Sequence, residues 1–166
     1  MKTGSIDVIC GQGGGKTALA LGKGLLALTR QKRVIVIQFL KGSYHMQGLD
    51  QVKGLEPGLK VFRFEKSDQY YEELTEEEKR EEEINIRNGF HFARKVIGTG
   101  ECDLLILDEI LGILDRQIIT PEEFAQMIAL KAENMQIILT GKVFPESLRG
   151  LVDSISTITY TEVDKS

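Results

Sequence analysis

Three short runs, Val34-Ile35-Val36-Ile37, Leu104-Leu105-Ile106-Leu107 and Ile137-Ile138-Leu139, are apolar at every position rather than at alternate ones. A strand with one face in water alternates, so these runs need cover on both faces, as in a parallel sheet with helices on either side. Longer helical patterns separate the runs, which is the signature of βαβ units. The strand candidates are Ile6 to Cys10, Val34 to Phe39, Lys60 to Phe64, Leu104 to Leu107, Gln136 to Thr140 and Ser156 to Tyr160. The third and sixth alternate with polar residues and belong nearer the edges. The expectation is an α/β fold with a mostly parallel central sheet of about six strands flanked by helices. With 166 residues and 42% hydrophobic content, residues 1–166 form one domain in this reading.

Two helix starts are explicit. Thr75-Glu76-Glu77-Glu78 and Thr120-Pro121-Glu122-Glu123 each set a Thr three residues before a Glu, the spacing of a capping box. Pro121 also suits the first helical position. Behind the first start, Ile86, Phe90, Ala93 and Ile97 recur at helical spacing, and Gly98 and Gly100 can end the helix. The acidic run from Glu72 to Glu83 is a solvated face, with Lys79 and Arg80 a turn from Glu76 and Glu83.

Composition narrows the partners. A net charge of -4 gives no electrostatic hold on nucleic acid, which needs clustered Lys and Arg. Cys10 and Cys102 flank apolar runs and read as reduced core residues rather than metal ligands. No apolar run approaches the roughly 20 residues of a membrane span, and a strand begins within a few residues of Met1, so a cytoplasmic location is expected. His45 and His91 are isolated and read as loop or packed residues.

The chemistry concentrates after the first strand, at Cys10-Gly11-Gln12-Gly13-Gly14-Gly15-Lys16-Thr17, with the helical run Ala18 to Leu28 behind it. Closely spaced glycines let successive backbone N–H groups converge, and the following helix adds its positive end. Such a nest binds phosphate, with Gly11, Gln12, Gly13, Gly14 and Gly15 as the cradle, Lys16 as a point charge and the Thr17 hydroxyl as a Mg²⁺ ligand. The pattern G-x-x-x-x-G-K-[ST] is missed only at Cys10. The strand Leu104 to Leu107 ends in Asp108-Glu109, and ligands of such sheets sit at the carboxyl ends of strands. Asp108 is thus the expected partner of Thr17 at the metal, and Glu109 the group that orients water or substrate. Gln38 and Lys41 end the second strand, and Lys142 follows the fifth; each is either a ligand contact or a solvated loop residue.

In order, Gly11 to Thr17, Val36-Ile37-Gln38-Phe39-Leu40-Lys41-Gly42, Leu105 to Glu109, Thr120 to Phe124 and Leu139-Thr140-Gly141-Lys142 resemble the ATP:corrinoid adenosyltransferases. The Gln-Phe-x-Lys-Gly segment is the most diagnostic. The resemblance implies a RecA-like P-loop fold, commonly a homodimer, with ATP and Mg²⁺ as ligands and a corrinoid (cobalamin or a precursor) as substrate. It implies nucleotide contacts from Gln38, Lys41 and Lys142, and catalytic roles for Lys16 and Glu109. Its departures are Gly14 where the family loop carries a lysine, Ala18 for a second hydroxyl, Leu26 for an arginine, and Lys142 for the arginine of Thr-Gly-Arg. The segment Ser67-Asp68-Gln69-Tyr70-Tyr71 stands in place of an aromatic-rich stretch and either packs on its own domain or meets the corrin ring. The implied reaction moves the 5′-deoxyadenosyl group of ATP to Co(I) and releases triphosphate. The alternatives are an ATPase or kinase cleaving between the β- and γ-phosphates, and a nucleotide- or corrinoid-binding protein without turnover.

Overall fold

The computed structural model describes residues 4–40, 52 and 54–166. Strands β1 (Ile6–Cys10), β2 (Val34–Gln38), β3 (Leu59–Arg63), β4 (Leu104–Asp108), β5 (Gln136–Thr140) and β6 (Ser154–Thr157) form one sheet in the order β3-β2-β4-β5-β1-β6. Every pairing is parallel. The expected α/β architecture is observed, and the two alternating segments, β3 and β6, are the edges.

The uninterrupted apolar runs are buried throughout, as two-sided cover requires. On one face Ala20 and Leu21 of helix α1 (Lys16–Thr29) pack against Ile9, Val36, Ile106 and Ile138. On the other, α2 (Glu76–Thr99), α3 (Ile110–Asp115) and α4 (Pro121–Ala129) cover Val8, Ile37, Leu105 and Ile137. Both expected capping boxes form, at Thr75 with Glu78 and at Thr120 with Glu123. Gly100 ends α2 in the left-handed conformation, while Gly98 remains inside the helix. Ile86, Phe90, Ala93 and Ile97 make the buried stripe.

The last strand differs most from the sequence expectation: it starts at Ser154 and ends at Thr157, because its register pairs Asp7 with Ser154 and Cys10 with Thr157. Beyond it, Ile158 stays beside β1, its N–H donating to the Cys10 carbonyl at 2.8 Å. The cysteines are both free and buried, and burial pushes the Cys102 thiol up to about 12. No described helix is long and apolar enough to cross a membrane.

Candidate functional site

The strand order places β5 between β4 and β1, so Thr140 ends between the glycine-rich loop and Asp108. The loop occupies residues 11–15 between β1 and α1. Its first half is fastened to the sheet: the Gly11 N–H donates to the Lys142 carbonyl at 2.9 Å and the Gly13 N–H to the Ile158 carbonyl at 3.3 Å. Gln12 is exposed. The second half turns toward solvent through Gly15, the N-cap of α1, whose φ of +92° disfavours any residue with a Cβ. The Lys16 ammonium donates to the Gly13 carbonyl at 2.7 Å. The first amides of a helix lack intrahelical acceptors and carry its positive end, so the start of α1 offers donors to an anion.

Asp108 lies beneath this turn with no exposed surface. Its carboxylate accepts from the Thr17 hydroxyl, at 3.0 and 3.1 Å to its two oxygens, and from the Thr140 hydroxyl at 2.7 Å. The Gln38 amide donates from 3.4 Å, across the register that pairs Gln38 with Asp108. The Thr140 hydroxyl accepts from the Glu109 N–H at 2.8 Å, which aims its own hydrogen at Asp108. A carboxylate only accepts, so this set of donors fixes its position. No cluster of three or more His, Cys, Asp or Glu suited to a metal occurs among the described residues. A Thr17–Asp108 pair nonetheless fits Mg²⁺, which uses one or two protein oxygens and fills its octahedron with water and phosphate oxygens.

Above the pair opens a cleft of about 340 Å³, with Gly14, Lys16 and Thr17 on one wall and Glu109 and Lys142 flanking them. Glu109 caps α3 with φ of 63°, a left-handed conformation uncommon for a residue with a side chain. The opposite wall consists of Leu40, Tyr70, Glu72 and Arg116. Arg116 ends α3; its Nη1 donates to the Gly112 carbonyl at 3.0 Å and its Nε to Glu72 Oε1 at 2.7 Å, with Nη2 on the same oxygen. Burial opposes ionisation of Glu72, but the hydrogen bond from Arg116 and the charges of Arg116 and Lys142 outweigh it and hold the carboxyl below the usual range. Gly112 permits this convergence: a Cβ there would stand 2.7 Å from Leu40, 3.1 Å from Arg116 Nη1 and 3.3 Å from a Glu109 oxygen.

Of the residues the sequence singled out, Gly14, Gly15, Lys16, Thr17, Glu109 and Lys142 line the cleft. Asp108 underlies it, and Gln38, only 5% exposed, reaches it through Asp108. Lys41, with Gly42 and His45, lies outside the described residues. The two tyrosines divide: Tyr70 lines the cleft, whereas Tyr71 packs on the core and donates to Glu83. His91 is exposed on α2. Sequence reasoning missed Arg116 and Glu72, which belong to no motif, and gave Thr140 no role of its own.

Sheet order, loop and buried carboxylate together define an α/β protein of the RecA-like P-loop kind. The family model described as ATP:corrinoid adenosyltransferase BtuR/CobO/CobP matches residues 2–163, and the chain belongs to this enzyme family. It is 26% identical to the corrinoid adenosyltransferase of Escherichia coli K12 over 157 residues, which is 93% of this chain and 76% of that protein. An uncharacterized Nostoc protein, all2391, is 28% identical over 166 residues, covering 91% of this chain and 42% of its own length.

Proposed function

We propose that the protein transfers the 5′-deoxyadenosyl group of ATP to the cobalt of a reduced corrinoid, with inorganic triphosphate as the other product. The electron pair of Co(I) attacks the 5′ carbon, a cobalt–carbon bond forms, the carbon–oxygen bond to the triphosphate breaks, and cobalt is formally oxidised to Co(III). The substrate supplies the reactivity, so the chain's work is to hold a leaving group and aim a carbon atom. The observation that carries the reading is the gathering of Lys16, Lys142, the start of α1 and the Thr17–Asp108 pair on one cleft. Lys16 and Lys142 neutralise the departing triphosphate, and the helix start donates to it. Thr17 and Asp108 would hold Mg²⁺, which adds charge neutralisation when bound. Gln38 and Thr140 keep Asp108 in place, and Glu109 orients water or a ribose hydroxyl. Lys41 and Tyr70 complete the substrate contacts, a homodimer is the working assembly, and the cytoplasm is the compartment that matches reduced cobalt and free thiols.

Anaerobic incubation with ATP, MgCl₂ and chemically reduced cobalamin is the test. Adenosylcobalamin in the absorbance spectrum together with triphosphate supports the reading. ADP as product selects β–γ cleavage instead, and bound ATP with unchanged cobalt spectra selects a binding protein.

A further inference from the structure

The wall opposite the glycine-rich loop carries a cation that no phosphate-binding motif contains. Arg116 caps the end of α3 with 30% of its side chain exposed, and the helix behind it is seated on the core, residues Ile110 to Leu114 being all buried. Its Nη1 is held by the Gly112 carbonyl, which fixes the plane of the guanidinium and leaves the Nε–Nη2 edge turned to Glu72. A guanidinium edge matches two acceptor oxygens, one for each N–H. Here both donors converge on the single oxygen Oε1 of Glu72. The carboxylate therefore satisfies the charge of Arg116 without satisfying its fork. Glu72 is also the looser partner, with 59% of its side chain exposed on the short turn Tyr71–Glu73. An ion pair with one member so exposed is a weak hold.

We propose that Arg116 is a third phosphate-binding cation of this cleft and that Glu72 competes with the nucleotide's polyphosphate for the same guanidinium edge. The inference rests on the nucleotide reading of the cleft and adds to it a binding residue, Arg116, and a competitor, Glu72. A phosphate group offers two oxygens to the edge and takes Arg116 from Glu72, whose carboxylate swings to solvent with its turn. Lys142, which also attracts Glu72, is released toward the phosphates in the same exchange. Glu72 thus lowers affinity for polyphosphate, whereas a tether that merely held Arg116 in position would raise it. The two roles give opposite signs on one substitution.

Calorimetric titration of the full chain with Mg-ATP, inorganic tripolyphosphate and adenosine reads that sign. Glu72→Gln should tighten Mg-ATP and tripolyphosphate several-fold and leave adenosine unchanged. Arg116→Ala should weaken both polyphosphates by about tenfold, again sparing adenosine, and Arg116→Lys should recover only part of the loss. Unchanged or weaker polyphosphate binding by Glu72→Gln overturns the proposal. So does an Arg116→Ala variant that binds both polyphosphates like the wild type, including one that loses affinity for a corrinoid alone. If Arg116→Ala fails to fold, the sign for Glu72→Gln decides. A wild-type chain that takes up no ATP removes the nucleotide reading itself, a different failure from bound ATP that ignores Arg116.

Discussion

The two walls of the cleft are built by different means. The loop wall is local: Gly14 to Thr17 are consecutive, and the buried Asp108 beneath them is fixed by Thr17, Thr140 and Gln38. The opposite wall draws Leu40, Tyr70 with Glu72, and Arg116 from three separate connections and holds the Arg116–Glu72 ion pair partly in solvent. A buried carboxylate held by several donors has a single arrangement, and an ion pair whose one member is exposed has alternatives. The contrast assigns rigid phosphate anchoring to the first wall and adjustment to the ligand to the second.

Removing Asp108 should break the comparison most severely. Asp108→Ala leaves the hydroxyls of Thr17 and Thr140 and the Gln38 amide without their buried acceptor. The cost is about 3 kcal/mol, a fall of about 6–12 °C in melting temperature for a chain of this size. A variant that melts within 2 °C of the wild type, to take a margin of about that size, would show that the pair is not a structural anchor. Lys16→Ala comes next. The ammonium lines the cleft and, among the described residues, bonds only to the Gly13 carbonyl in the loop, so folding should be preserved while Mg-ATP affinity drops by roughly tenfold to a hundredfold. Calorimetry against a melting curve separates the two effects; unchanged affinity would remove the loop wall from phosphate binding altogether.

That contrast also explains what the sequence discloses. Strand interiors such as Leu104 to Leu107 declare themselves because two-sided burial leaves no polar position, and Thr75 and Thr120 because a cap is written within four residues. The loop wall is legible for the same reason: its geometry is contiguous in the chain. Arg116 and Glu72 lie 44 positions apart, and only the packing of the turn Tyr71–Glu73 near the end of α3 brings them together. Nothing in the Asp-Arg-Gln turn distinguishes Arg116 from a solvated residue. Gln38 illustrates the intermediate case, since its segment marks it as functional but only the β2–β4 register reveals that it acts on Asp108. The early start of β6 was illegible because Ser154 and Ile155 owe their place to pairing with Asp7 and Val8, not to strand propensity.

Gly112→Ala sharpens the comparison chiefly on the second wall, with Glu109 as the neighbour from the other side. An added methyl meets the ends of flexible side chains, Leu40 at 2.7 Å and Arg116 at 3.1 Å. Displacing them costs about 1 kcal/mol, and replacing Gly by Ala inside a helix returns a similar amount, so stability should change by less than about 1 kcal/mol. Mg-ATP affinity should fall a few-fold because the guanidinium plane is shifted. A large loss of stability with unchanged affinity would mean that Gly112 serves packing only.

The smallest effect is in pH. Glu72 has a depressed pKa in the folded chain, so it favours folding above its ordinary value of 4.5, and that contribution fades as pH falls through the lower folded value. Asp103, held down by Arg33, and Glu123, held down by Arg87, have the same sign and lie away from the cleft. Acid therefore loosens the chain at several ion pairs, and Glu72→Gln should subtract only its own share. Melting temperatures followed from neutral pH down to about 3 should show a shallower acid decline in Glu72→Gln than in the wild type, with the two curves converging at the acid end. Parallel curves would mean that Arg116 does not hold Glu72 in solution, and the second wall would then be open even before ligand arrives.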